Sequence, residues 1–317
     1  MKKILVTRNL LEENEKRILK LFDAKLNKED KLYSPEEVIA LSENCDGILS
    51  FTTSVLNGET INKLSDNVKI IANYAVGFGN IDIDSAKKRG IVVTNTPHVL
   101  TDATADISIL LLLGASRRAY EGRKAAERQN WTWSANLLLG KQMSNRKLGI
   151  LGMGRIGRAV AQRAKGFGME IHYHNRNRLS PDLENGAKYH SDIKSLFSQS
   201  EFLSINCPAT ADTANLINKE TINFFPDDVV IANAARGDII NDQDMIEAMK
   251  NGKVFALGLD VYNGEPKINE NYLKLDNLFL LPHLGSATER TRIDMGDRAI
   301  SNLEDYFLGK KPKDKVN

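Results

Sequence analysis

The segment Gly152-Met153-Gly154-Arg155-Ile156-Gly157 stands directly behind the apolar run Leu148-Gly149-Ile150-Leu151 and ahead of Arg158-Ala159-Val160, where a helical pattern begins. A strand, a glycine-rich turn and a helix in that order constrain the chain strongly, because each glycine has a steric task. The first allows a tight turn, the second lets the backbone approach a diphosphate, and the third lets the helix pack closely. The helix N-terminus then offers amide donors and a positive dipole to an anion. The motif predicts a dinucleotide-binding α/β unit.

The side chain that separates NAD from NADP lies at the end of the following strand, about 20 residues on. That segment reads Ile171-His172-Tyr173-His174-Asn175-Arg176-Asn177-Arg178. No carboxylate is there to grip a ribose 2′-hydroxyl, and two guanidiniums stand where a 2′-phosphate would lie. Asn175, Arg176, Asn177 and Arg178 are therefore expected to contact the cofactor, with NADP(H) preferred and NAD(H) possible. His172 and His174 share one face of a strand, but the sequence sets no further His, Cys or acid cluster beside them, so no metal site is expected.

The length of 317 residues suggests two domains. Short β-branched apolar runs at 3–7, 47–51, 69–72 and 91–94 alternate with helix-like stretches such as the one opened by Ser34-Pro35-Glu36-Glu37. A second rhythm runs through 147–151, 169–173, 202–206, 229–233, 256–259 and 278–281. Strands apolar along nearly their whole length predict parallel sheets covered on both faces. The expected architecture is α/β: two Rossmann-like or flavodoxin-like doubly wound domains with a cleft between them. Past Ser286 a helical pattern spans 288–307, and the charged tail GKKPKDKVN reads as solvated.

Bulk charge argues against two partner classes. Lys and Arg number 43 against 41 Asp and Glu, so neither nucleic acid nor an anionic membrane is called for. The N-terminal apolar run, Ile4 to Val6, is far shorter than a signal segment, and the run 107–113 is too short to cross a bilayer. Cys45 and Cys207 lack CxxC spacing and read as reduced thiols. A cytoplasmic location is expected.

Three predicted strands in the second half each end in a reactive side chain: Arg236 in Asn233-Ala234-Ala235-Arg236-Gly237, Glu265 after Gly258-Leu259-Asp260-Val261, and His283 in Pro282-His283-Leu284-Gly285-Ser286. Ligands of open α/β sheets bind beyond the carboxyl ends of strands, where these three can converge. Reduction of a ketone needs a proton donor for the developing alkoxide, and histidine titrates in the right range. A neighbouring Glu265 would orient the ring and favour its protonated form. Arg236 can hold a carboxylate bidentately and polarise the adjacent carbonyl.

These segments resemble the D-isomer-specific 2-hydroxyacid dehydrogenase family, and within it the glyoxylate/hydroxypyruvate reductase branch. The likeness covers nearly the whole chain. It also rests on Asn73-Tyr74-Ala75-Val76-Gly77-Phe78-Gly79-Asn80-Ile81-Asp82, Thr94-Asn95-Thr96-Pro97 and Leu100-Thr101-Asp102-Ala103-Thr104-Ala105-Asp106. The resemblance implies Arg236 as substrate anchor, Glu265 as partner and His283 as acid/base. It implies that the amides of Val76 and Gly77 hold the substrate carboxylate, and that Phe51 closes the pocket around a small molecule.

By the same resemblance Gly152, Gly154, Arg155, Ile156 and Gly157 meet the pyrophosphate. Thr104, Cys207, Pro208, Ala234, Ala235, Asp260, His283 and Gly285 lie along the cofactor, with Asp260 near the carboxamide. The substrate-binding domain would comprise 1–98 plus 288–317, and the cofactor domain 99–287. The Trp-containing stretch 117–133 resembles the arm through which such enzymes form homodimers.

The implied reaction is reduction of a small 2-keto acid, glyoxylate or hydroxypyruvate, to glycolate or D-glycerate. D-3-phosphoglycerate and other D-2-hydroxyacids remain alternative substrates, although no regulatory extension follows Asn317. A formate or phosphite dehydrogenase on the same frame is another alternative. From a different class comes a corepressor-like protein that senses dinucleotide and acts by binding. One departure from the family pattern is Ala234-Ala235 before Arg236, where Thr or Ser is more usual.

Overall fold

The runs Gly47-Ile48-Leu49-Ser50 and Ile70-Ile71-Ala72-Asn73 are buried along their whole length and form the centre of a parallel sheet. A computed structural model describes residues 1–317. The chain divides into Met1–Leu100 with Ala287–Asn317, and Thr101–Ser286. The sequence placed these junctions at 98/99 and 287/288.

In the first unit the strands are β1 (Lys3–Val6), β2 (Asp23–Lys25), β3 (Gly47–Ser50), β4 (Ile70–Asn73) and β5 (Val92–Thr94). They pair in the order β2-β1-β3-β4-β5, all parallel. Parallel neighbours need crossovers, and helices Glu12–Leu21, Pro35–Leu41, Gly58–Lys63 and Ile83–Lys88 supply them. Ser34 caps the second helix through a full capping box with Glu37, behind a Pro at the first turn. Helix Glu289–Phe307 packs on β3, β4 and helix Glu12–Leu21. At that crossing a Cβ on Gly296 would lie 2.2 Å from Asn14 Oδ1, so only glycine allows the approach.

The charged tail corrects one expectation. Rather than being solvated, it lies along β5: Thr94 bridges Lys315, Val316 N donates to Val93 O at 2.9 Å, and Asn317 bonds both Val93 N and Ile91 O. Asp314 is buried and takes two bonds of 2.8 Å from Arg298. The tail's lysines hid this role, since its pairing partner lies more than two hundred residues away. It covers what would otherwise be an open sheet edge.

The second unit holds β6 (Lys147–Leu151), β7 (Glu170–His174), β8 (Lys188–His190), β9 (Phe202–Ile205), β10 (Val229–Asn233), β11 (Val254–Leu259) and β12 (Leu278–Leu280). Their order is β12-β11-β10-β9-β6-β7-β8, all parallel. The chain builds outward from β6 to β8, then returns to start β9 on the other side of β6. That reversal is the topological switch point at which open α/β sheets bind nucleotides. Helix Thr101–Ser116 packs across β10 and β11 and against helix Arg155–Lys165. No helix in the structure is long and apolar enough to cross a membrane.

Candidate active site

The glycine loop occupies the switch point. Gly152 has φ +96°, and a Cβ there would lie 2.5 Å from Cys207 N, at the end of β9. Gly157 has no room either, since its Cβ would fall 2.3 Å from Gly152 O. Gly154 is different: nothing lies within 4 Å of its Cβ position, and it caps helix Arg155–Lys165, whose first turn carries no acid. A protein contact therefore explains the first and third glycines but not the second. A diphosphate approaching the open helix N-terminus does explain it, so these residues fit a bound dinucleotide.

At the end of β7 the loop is fastened at two points. Asn175 Oδ1 accepts from Met153 N at 2.6 Å, tying the loop to the glycine turn. Arg178 is bound bidentately by Glu184, with Nε at 2.7 Å and Nη2 at 3.1 Å from its oxygens, and Tyr173 Oη donates to Glu184 at 2.6 Å. Of the two guanidiniums expected at a 2′-phosphate, Arg178 is thus already partnered. Arg176 is exposed and forms no ion pair; Asn177 is also exposed. The histidines have company that the sequence did not show. His172 Nδ1 lies 2.8 Å from His190 Nε2, His172 Nε2 lies 2.8 Å from Glu170, and His190 Nδ1 lies 2.7 Å from Ser195 Oγ.

Arg236, Glu265 and His283 all follow strand ends of the second unit. His283 Nδ1 and Glu265 Oε2 are 2.7 Å apart, while Glu265 Oε1 accepts from Tyr262 N at 2.9 Å. The other ring nitrogen, Nε2, is left for a ligand. His283 itself has φ +55°, a left-handed conformation uncommon for a side-chain-bearing residue. Asp260 holds the loop that imposes it: fully buried, it accepts from Leu284 N at 2.6 Å and from Gly285 N at 2.7 Å. Thr104 Oγ1 donates to Gly285 O at 2.9 Å, and Tyr262 Oη donates to Leu281 O at 2.6 Å. Asp260 thus has both oxygens engaged by backbone amides, a structural use that the sequence did not reveal.

Arg236 forms no ion pair, and its Nη1 donates to Ala235 O at 2.6 Å. Burial pushes its pKa down, opposed by the charges of Glu265 and Asp238. A mostly buried cation without a bonded carboxylate is a site for an anionic ligand. Gly237 keeps it in place, since a Cβ there would meet Tyr262 C at 2.0 Å. Ala234 and Ala235 line this turn, and Cys207, partly buried ahead of Pro208, has its thiol pKa raised by burial to about 11. That raised value keeps the thiol in its neutral form around neutral pH.

Burial raises the Glu265 pKa, but the His283 bond, the Tyr262 amide and the Arg236 charge outweigh that and leave it below its ordinary 4.5. A carboxylate depressed in this way stabilises the fold above its unfolded pKa and loses that contribution as pH falls through the folded one. Urea unfolding of wild type and Glu265→Gln should therefore differ most above the ordinary carboxylate value of 4.5 and converge as pH falls through the lowered folded value. A stability gap that ignores pH would contradict this.

In the first unit Phe51 stacks on Tyr74 with ring centroids 4.6 Å apart. The Tyr74 hydroxyl donates to Arg292 O, and burial pushes its pKa up to about 12. Val76 and Gly77 lie in the bend after β4, and neither amide donates within the protein.

The sequence pattern of the "D-isomer specific 2-hydroxyacid dehydrogenase, NAD binding domain" matches residues 109–285. The chain belongs to this family. Similar dehydrogenases align over nearly their full length. A glycerate dehydrogenase of Hyphomicrobium methylovorum is 39% identical, with 97% of each chain covered. A glyoxylate reductase of Thermococcus litoralis is 38% identical, covering 99% of this chain and 96% of the relative. An NADPH-dependent glyoxylate/hydroxypyruvate reductase of Sinorhizobium meliloti, solved with NADP and malonate, superposes with a TM-score of 0.89 at 29% identity, covering 99% and 96%. As a D-2-hydroxyacid dehydrogenase, this enzyme uses a nicotinamide dinucleotide.

Proposed function

We propose that this dehydrogenase reduces glyoxylate or hydroxypyruvate to glycolate or D-glycerate, with NADPH preferred over NADH. The observation that carries the reading is the His283–Glu265 pair at 2.7 Å beside an Arg236 that forms no ion pair. The dinucleotide, when bound, supplies the hydride. In the second unit Arg236 binds the substrate carboxylate and polarises the keto oxygen, and His283 Nε2 gives that oxygen its proton. Glu265, bonded to Nδ1, fixes the ring so that Nε2 faces the substrate. In the first unit the amides of Val76 and Gly77 hold the carboxylate, and Phe51, set by Tyr74, bounds a small pocket.

Gly152, Gly154, Arg155, Ile156 and Gly157 would hold the pyrophosphate. Thr104, Asn175, Pro208, Asp260 and Gly285 would lie along the rest of the cofactor. Two relatives named glyoxylate reductase or glycerate dehydrogenase support the substrate size, and the NADPH-dependent relative supports the reductant. The absent acid after β7 supports NADPH, with Arg176 taking the 2′-phosphate. On this reading Arg176→Ala raises the KM for NADPH about tenfold or more, and Arg178→Ala, whose partner is Glu184, raises it less. Neither variant should move the KM for NADH by more than about twofold; equal losses with both cofactors would remove Arg176 from the 2′ position.

The arm after helix Ala119–Arg128 displays Trp131 and Trp133 at 53% and 80% exposure, and that helix buries no residue. We read it as the contact between two copies in a cytoplasmic homodimer, checked by a solution mass of twice 35.3 kDa. The function itself is tested by steady-state comparison of glyoxylate, hydroxypyruvate, pyruvate and phosphohydroxypyruvate, each with NADPH and with NADH. Highest kcat/KM for the first two with NADPH is the expected outcome. Dinucleotide binding without turnover of any keto acid would instead point to a sensor.

A further inference from the structure

Three successive carbonyls in the bend after β4 are held from behind. Ala75 O accepts from Thr96 N at 2.8 Å, Val76 O from Asn95 Nδ2 at 2.8 Å, and Gly77 O from Asn73 Nδ2 at 3.0 Å. A trans peptide is planar, with its N–H opposed to its C=O, so fixing a carbonyl fixes the direction of the next residue's amide. The Thr96 bond thereby aims Val76 N–H, the Asn95 bond aims Gly77 N–H, and the Asn73 bond aims Phe78 N–H. None of these three amides donates to a protein acceptor.

The two asparagines are themselves braced. Asn95 is nearly buried; its N donates to Asp314 O at 3.2 Å and its O accepts from Asn302 Nδ2 at 3.2 Å. Asn302 Nδ2 also lies 3.1 Å from Asp314 Oδ2, the carboxylate held by Arg298. Asn73 is fully buried and accepts from Ser50 Oγ at 3.0 Å and from Asn80 Nδ2 at 3.3 Å. Asn80 in turn donates to Phe51 O at 3.0 Å and to Ser54 O at 3.1 Å. An amide side chain fits these positions because it donates to one carbonyl while its own oxygen or backbone is anchored elsewhere.

We propose that Asn95 is a positioning residue for substrate binding: by pinning Val76 O it presents Gly77 N–H to the carboxylate of the keto acid. Asn73 does the same for Phe78 N–H, a third donor to that anion, and the tail around Asp314 keeps Asn95 in place. This rests on the reading of the Val76–Gly77 bend as the carboxylate site. An amide already aimed loses no orientational freedom on binding, so its hydrogen bond contributes more fully.

The test uses full-length Asn95→Asp and Asn95→Ser. The first is isosteric but turns a donor into an acceptor facing Val76 O; the second is too short to reach it. With glyoxylate, both should raise KM, and the inhibition constant of the unreactive dicarboxylate oxalate, about tenfold or more, with kcat changed less. The Kd for NADPH should stay within about twofold, which reports that the cofactor unit is intact. A variant that binds NADPH normally and keeps both substrate constants within about twofold of wild type overturns the proposal.

In the wild type, hydrogen exchange at the Gly77 and Phe78 amides should slow when oxalate saturates the enzyme. Unchanged exchange at Gly77 overturns the proposal even where neither variant folds. Wild type that neither turns over glyoxylate nor binds oxalate overturns the functional reading instead, so the two failures are separable.

Discussion

Replacing His283 by Gln is expected to lower kcat for keto-acid reduction by two to four orders of magnitude, about the contribution of a positioned general acid. The glutamine side chain can still meet Glu265 but has no proton to give at the position of Nε2. Since the loop bonds from Asp260 to Leu284 and Gly285 are made by backbone amides, they survive the change. The dinucleotide Kd should therefore stay within about twofold. Stopped-flow single turnovers would separate binding from chemistry, and a variant with wild-type single-turnover rate would end the proton-donor assignment. Glu265→Gln should show a smaller loss, because it weakens the orientation of the ring without removing the donor.

Arg236→Gln is the second large effect. Truncating one partner of a desolvated charge pair typically amounts to about 2–5 kcal/mol. That corresponds to a loss of at least about thirtyfold in kcat/KM for glyoxylate, with a higher KM. Arg236→Lys should recover only part of it, because a compact ammonium cannot make two parallel bonds to a carboxylate. A hydroxypyruvate titration that returned wild-type KM for both variants would show the anion to be held elsewhere. The guanidinium is available for the role, since within the protein it is bonded only to its neighbouring carbonyl, Ala235 O.

Both sites could be approached from sequence because their logic is local. The glycine turn is legible since three steric demands recur at fixed spacing behind a strand, and Arg236, Glu265 and His283 each follow an apolar run that ends at the same edge of a parallel sheet. What stayed hidden is whatever depends on pairings between distant segments. β2 and β8 are three-residue edge strands with no alternation long enough to read. Nothing in the letters tells that Glu184 takes Arg178 and leaves Arg176 free, or that His190 closes on His172. The buried asparagines 73 and 95 look like loop residues, because their value lies in carbonyls they reach only after folding. The tail misled by composition: lysines suggested solvent, while Asp314, Val316 and Asn317 carried the docking.

The placement of helix Glu289–Phe307 sets an order of assembly. It covers β3 and β4, strands made near the start of synthesis, yet it emerges from the ribosome only after the whole of Thr101–Ser286. The cofactor unit is contiguous and can mature while its neighbour still exposes an apolar sheet face. During that interval the first hundred residues form the aggregation-prone part of the nascent enzyme, and chaperone demand should concentrate on them.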